Sequence, residues 1–366
     1  MEIPKQIQEK IKEYTYWNEY ERKLHLSLLE VIYEEEWFKI LMPKDVGGGE
    51  WPLYKAVTLF ENLARLDANV GWAVNLGAGA NMFAGYFKKE VSEEIFNCKE
   101  VVCAGSGSVL GYAVQQGDDY IVRGTWKYAS GAAHATHFTA NCWILDENNQ
   151  AVVDEDGNPT FKSFIFDRKD VMVHDTWHAM GLKATSSHDF SVQKLKVSKN
   201  HTFNLLKPSA IAKGTLYQFP FATMAVINMS SMLIGIAYSF FDEFEKLMET
   251  KKPLNANKRL KEEDFVVSEY QKYSSVFKTT HELATLNLKE IWSQLESGDR
   301  PSVEAFTALE IAYHEVTQHA YEMVVRLYPL FGMTIVFKAN RVNKIFRDFM
   351  TASQHYQMHP IQLYNK

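Results

Sequence analysis

The strongest constraint on this chain is that its hydrophobic period changes twice. Up to about residue 100 the apolar residues recur at helical spacing. Ile7, Ile11 and Tyr14 fall at i, i+4 and i+7, and Leu24, Leu28, Val31 and Ile32 repeat the stripe. From Val101 the period drops towards 2. Short runs at 120–122, 138–143, 161–166, 171–173 and 190–197 are rich in β-branched and aromatic residues, with polar turns such as DENNQ and DEDGNP between them. From Pro208 the helical period returns in long blocks at 222–248, 261–295, 303–330 and 345–358, punctuated by Pro253, Gly298 to Pro301 and Gly332. Ser302, followed by Glu304 in the first turn, is the expected N-cap of the third block. The predicted class is therefore α+β. A helical domain occupies 1–100, a middle β-barrel or sandwich 101–205, and a C-terminal four-helix bundle 206–366.

Composition narrows the function classes. A chain of 366 residues accommodates three such units, and its net charge of −6 argues against a nucleic-acid surface. Its three cysteines, Cys98, Cys103 and Cys142, form no C-x-x-C pair and read as reduced thiols of a cytoplasmic protein. The charged, amphipathic N-terminus reads as neither signal peptide nor transit sequence. The longest weakly charged run, 211–241, contains Lys213, Gln218 and Pro220 and reads as a buried helix, not a membrane span. The Gly- and Ala-rich stretch 69–84 favours a tight helix crossing.

One stretch, VRGTWKYASGAAHATHF at 122–138, looks built for more than packing. A strand runs into Ser130-Gly131, and a small-residue segment with His134 and His137 follows. Glycine after a strand lets backbone approach a flat ligand, and the neighbouring hydroxyl can donate or accept a hydrogen bond. An edge strand ending in a tight turn would read the same way. Downstream, Thr185, Ser186 and Ser187 place three hydroxyls in one turn, suited to phosphate or ribityl contacts or simply to the turn itself. No His or carboxylate spacing here is a metal-ligand motif, so no metal is expected.

Five motifs in fixed order resemble the acyl-CoA dehydrogenase superfamily. They are LMPKDVGGGEWP, ENLARLDANVGW, GTWKYASG, WHAMGLKATSSHDFSVQKLKVSKNHTF and NKIFRDFMTASQH, and together they span about 36–356. The last resembles the C-terminal signature of the superfamily's two-component, flavin-dependent monooxygenase branch. The resemblance implies the same helix–β–helix fold, a homotetramer, and a reduced flavin, FAD or FMN, held loosely and supplied by a separate reductase. It places the Ser130 hydroxyl at the flavin N5 region, with Trp126, Tyr128 and Gly131 on the same wall and Trp177 at the ring edge. Thr185, Ser186, Ser187 and Arg347 become expected cofactor contacts. His355 matches the branch's C-terminal catalytic histidine, a base for an activated aromatic ring. Where the branch carries a further histidine, this chain reads Gly79-Ala80-Asn81. That leaves Asn81 and His134 as expected substrate contacts.

The alternative chemistry on this fold, acyl-CoA dehydrogenation, needs a carboxylate base in the C-terminal region. The last glutamate is Glu322 and nothing acidic follows Asp348; between Asp189 and Asp242 there is no acidic residue. A positioned base contributes about 10²–10⁴-fold, so its loss weighs against that reaction. The expected function is hydroxylation of a small, possibly aromatic molecule. A dehydrogenase-like CH–CH oxidoreductase and a non-catalytic ligand-binding relative stand as alternatives.

Overall fold

The helical stripes of the first hundred residues fold as α1 (Lys5–Glu21), α2 (Leu26–Glu34), α3 (Leu53–Leu66), α4 (Ala68–Asn81) and α5 (Lys89–Phe96). These come from a computed structural model that describes residues 2–205, 210–254, 257–359 and 361–364. Asp67 ends α3 and begins α4, its carboxylate accepting from the Asn69 and Val70 amides. Helices α3 and α4 pack so closely that a β-carbon on Gly71 would sit 2.6 Å from the Ala64 nitrogen. Only glycine fits there, and the small-residue stretch does serve a tight helix crossing.

Seven strands follow: β1 (Cys103–Gln116), β2 (Asp119–Ala129), β3 (His137–Leu145), β4 (Phe161–Asp167), β5 (Met172–His174), β6 (His188–Ser198) and β7 (Thr202–Phe203). They form one sheet in the order β5-β6-β2-β1-β3-β4-β7, antiparallel except for the β1–β3 pair. In a flat sheet β3 and β6, three spacings apart, would lie about 14 Å from each other. Yet the rings of Phe138 on β3 and Phe190 on β6 are 4.9 Å apart. The sheet is curled around its own core of Trp126, Phe138, Phe164, Phe166 and Phe190.

The chain then returns to helix in α6 (Thr215–Gln218), α7 (Phe221–Thr250), α8 (Asp264–Glu296), α9 (Val303–Leu327) and α10 (Arg341–Ala352). The boundary expected at 206 adjoins residues 206–209, which lie outside the described residues. The Ser302 hydroxyl accepts from the Ala305 amide and starts α9 as its sequence suggested. Helix α7 is long and apolar enough to cross a membrane, but its apolar window is 89% buried by its neighbours. One apolar core runs from Ile11 and Leu28 through Leu59 and Leu63 of α3 to Ile227 and Phe240 of α7 and Met323 of α9. The N-terminal helices and the bundle thus share a core, and the curled sheet keeps a separate one.

Candidate active site

The site is assembled where the end of β2, the 181–187 loop, α4 and the end of α10 converge. Strand β2 loses register with β6 between Trp126 and Ala129, and Tyr128 in that bulge takes a left-handed φ of 65°. A bulge redirects the side chains on either side of it. Tyr128 is turned outward, 66% exposed, with its ring edge-on to Trp177. The next residues, Ser130-Gly131, are tied to the loop by the Gly131 amide, which donates to the Thr185 carbonyl at 2.7 Å.

A line of polar side chains runs inward from this turn. The Trp72 indole donates to Ser130 Oγ at 3.0 Å, Ser130 Oγ lies 2.8 Å from Ser187 Oγ, and Ser187 Oγ lies 2.7 Å from Thr185 Oγ1. Thr185 Oγ1 donates to the Leu182 carbonyl at 2.8 Å, and the Trp177 indole donates to the same oxygen at 2.8 Å. Ser130 remains partly exposed, whereas Thr185 and Ser187 are buried.

The other face of the loop is held by charge. The Leu182 amide donates to Asp348 at 2.6 Å, and Lys344 reaches Asp348 at 2.8 Å and Asp67 at 3.2 Å. All three ionised side chains are at most 5% exposed. Burial works against the charge on Asp67, but Lys344 and the Asn69 amide outweigh it and hold that carboxyl below its usual range. Burial and the nearby Asp67 push Asp348 upward, against Lys344. Asn69 adds an anchor by accepting from the Ala184 amide at 2.9 Å. The loop also lies close on α10: a β-carbon on Gly181 would fall 2.1 Å from the Arg347 carbonyl.

His355, just past the end of α10, stands edge-on to Trp72, with ring centres 5.9 Å apart. Its Nδ1 accepts from the Gln357 amide at 3.3 Å, and burial lowers its pKa to about 4. The imidazole is therefore neutral at ordinary pH. With Nδ1 accepting, its proton sits on Nε2, which makes it a hydrogen-bond donor to whatever lies beside it. In this arrangement Nδ1 is occupied by the amide and Nε2 carries the proton, so the imidazole offers a donor where a base was expected.

Ser130, Gly131, Tyr128, Trp177, Thr185, Ser187 and His355 are thus gathered around one place. Other residues expected there are not. Trp126 is fully buried in the sheet core, its indole donating to the Asn141 carbonyl and its face stacked on Phe190, so it presents no surface to a ligand. Asn81 is fully buried and bonded at both ends of its amide, donating to Phe38 and Val101 carbonyls and accepting from the Cys103 amide. It is a bracket between α4 and β1, not a substrate contact. His134 turns towards the N-terminal helices and stacks on Phe38, its Nε2 buried without a partner and its pKa lowered by burial to about 4. Ser186 donates to the Arg22 carbonyl at 2.7 Å, facing α1. Arg347 is occupied by Glu19, Asn343 and the Met180 carbonyl. Trp72 and Lys344 join the site without a chemical signal of their own, although each lies in a motif that the sequence displays: Trp72 ends ENLARLDANVGW, and Lys344 stands four residues before Asp348.

This arrangement fits the ring end of a flavin. It offers a partly exposed hydroxyl flanked by indole and phenol faces, with a neutral imidazole close by. It does not fit phosphate at 185–187, because those three hydroxyls are already bonded within the protein.

Comparison with known proteins finds similar chains. Residues 227–360 match a family model described as acyl-CoA dehydrogenase, C-terminal domain. An indole-3-acetate monooxygenase from Acinetobacter baumannii is 24% identical over 98% of this chain and 90% of its own. The oxygenase subunit HsaA of a flavin-dependent monooxygenase from Rhodococcus jostii is 21% identical over 94% of this chain and 90% of its own. A solved structure of XiaF from a Streptomyces species, in complex with FADH2 and glycerol, superposes with a TM-score of 0.88 over 98% of this chain and 92% of that one, at 17% identity. The resemblance read in the motifs stands: residues 227–360 match the acyl-CoA dehydrogenase C-terminal domain, and the relatives that match over nearly the whole chain include an indole-3-acetate monooxygenase and the oxygenase subunit of a flavin-dependent monooxygenase.

Proposed function

We propose that the protein is the oxygenase component of a two-component monooxygenase, using reduced flavin and O2 to hydroxylate a small aromatic molecule. The observation that supports it best is the Trp72–Ser130–His355 group, where a hydroxyl and a neutral imidazole both adjoin one indole. The carboxylate nearest His355 in sequence, Asp348, is locked between Lys344 and the Leu182 amide. A dehydrogenase base would have to be free. Bound reduced flavin supplies the electrons that activate O2. Ser130, Tyr128 and Trp177 would hold its ring, and Trp72 would bridge the ring to the substrate. His355 would donate from Nε2 to a substrate oxygen and so orient the aromatic ring for attack. The relative named for indole-3-acetate supports an aromatic substrate.

A separate flavin reductase partner is supported by the oxygenase-subunit name of the Rhodococcus jostii relative. Either FAD or FMN suits the ring site. A homotetramer is supported by exposed apolar side chains along the bundle, such as Val276, Leu283 and Leu286 on α8 and Ile311 and Val325 on α9. A cytoplasmic location accords with the free Cys98, Cys103 and Cys142.

The deciding experiment supplies chemically or enzymatically reduced flavin and air to the purified protein with a panel of phenols and indoles, and analyses products by mass spectrometry with ¹⁸O2. One ¹⁸O atom in a ring-hydroxylated product is expected. Reduction of an artificial acceptor by acyl thioesters, without oxygen incorporation, would overturn the reading.

A further inference from the structure

The polar line behind Ser130 has a direction. A carbonyl oxygen only accepts, so the hydroxyl proton of Thr185 is committed to Leu182 O, 2.8 Å away. Thr185 Oγ1 must then accept from Ser187, which lies 2.7 Å away, and this uses the proton of Ser187. Ser187 Oγ in turn accepts from Ser130 at 2.8 Å, which uses the proton of Ser130. Ser130 Oγ already accepts the Trp72 N–H at 3.0 Å. One lone pair and no proton remain on its open side. The end of the chain cannot reverse, because the Leu182 amide is pinned by Asp348 and its carbonyl also receives the Trp177 N–H. Thr185 and Ser187 are buried, so water does not offer an alternative acceptor.

On the flavin reading given above, we infer that Thr185 is a positioning residue that makes Ser130 an obligate acceptor, so that the site distinguishes the redox states of its flavin. The N5 atom of a reduced flavin carries a hydrogen and donates; the N5 of an oxidised flavin carries only a lone pair. Facing Ser130, the first makes a hydrogen bond and the second meets a lone pair with a lone pair. The device favours uptake of the reduced form and expulsion of the oxidised one, which suits a protein fed by diffusion from a reductase. The relay, not the Ser130 hydroxyl alone, sets the preference.

The test is equilibrium binding under nitrogen of FMN and FAD, each oxidised and each dithionite-reduced, to the full-length protein and four variants. The native protein should hold the reduced form tighter by about tenfold or more, the worth of one hydrogen bond made against one refused. Thr185→Val and Ser187→Ala each free the Ser130 proton to turn outward, and each should bring the ratio to within about threefold. Thr185→Ser keeps the hydroxyl and should restore the native ratio. Trp72→Phe removes a donor but leaves the inward proton in place, and it should keep the preference even if both affinities fall. Circular dichroism checks that each variant is folded, and the two relay-breaking variants stand in for each other if one is not. Binding of both forms with a ratio near one, or a ratio untouched by both Thr185→Val and Ser187→Ala, overturns the relay and leaves the flavin reading standing. Binding of neither form by the native protein overturns both.

Discussion

Two buried polar networks meet at Leu182 from opposite sides, and they are built from different materials. On one side Asp67, Lys344 and Asp348 form an ionised cluster that grips the Leu182 amide. On the other, Trp72, Ser130, Ser187 and Thr185 form an uncharged line that ends on the Leu182 carbonyl. The charged cluster ties α10, the α3–α4 junction and the loop into one fixed unit, because any rearrangement would strand a charge without water. The uncharged line tolerates change at smaller cost, and its end reaches a partly exposed hydroxyl. Charge holds the loop in place; the hydroxyls link its backbone to the partly exposed Ser130.

The comparison breaks most visibly at Lys344. Lys344→Ala leaves two carboxylates buried together and should destabilise the protein by about 3–5 kcal/mol in urea unfolding. A loss under about 1 kcal/mol would mean that the cluster is hydrated. Next in size, His355→Ala should lower the hydroxylation rate by roughly 10²-fold, the usual cost of one preorganised donor. Its pH signature sharpens the donor assignment. With a folded-state pKa near 4, His355 stays neutral through neutral pH, so its contribution to the rate should be flat from pH 8 to 5 and change only as pH nears 4. An inflection near 6.5 that vanishes in the variant would restore the role of a base. Ser130→Ala should weaken reduced-flavin binding about tenfold while costing only about 1 kcal/mol in stability. Unchanged affinity would detach the uncharged line from the ligand. At neutral pH the smallest effect concerns His134. Its pKa is lowered by burial, so the unfolded chain takes up protons between 6.5 and about 4 before the folded one does, and stability falls as pH drops through that window. His134→Phe should flatten part of this slope in melting temperature against pH, with little change at pH 8.

Much of the fold was legible because period and punctuation are local. The helical stripes, the alternation between 101 and 203 and the cap at Ser302 each depend on neighbours in sequence. The merging of the N-terminal helices with the bundle into one core is a long-range event, and no periodicity reports it. The site divides in the same way. Motif resemblance brought Ser130, Ser187 and His355 into view but could not distinguish lining from lattice. Trp126 lies two residues from Tyr128, yet the bulge sends one into the core and the other to the surface. Asn81 and Ser186 carry the right chemistry and spend it on backbone. The tautomer of His355 depends on a single amide two residues away, a detail fixed by the turn that ends α10 and not by composition.

The tight seat of Gly181 against the Arg347 carbonyl makes the loop and the helix a single machined joint. An alanine there touches no ligand, yet it would lift Leu182 by the width of a methyl group and loosen its amide and its carbonyl together. Thermal resilience and, on the relay proposed above, cofactor discrimination would then decline in parallel, so an engineer could not trade one for the other at that position.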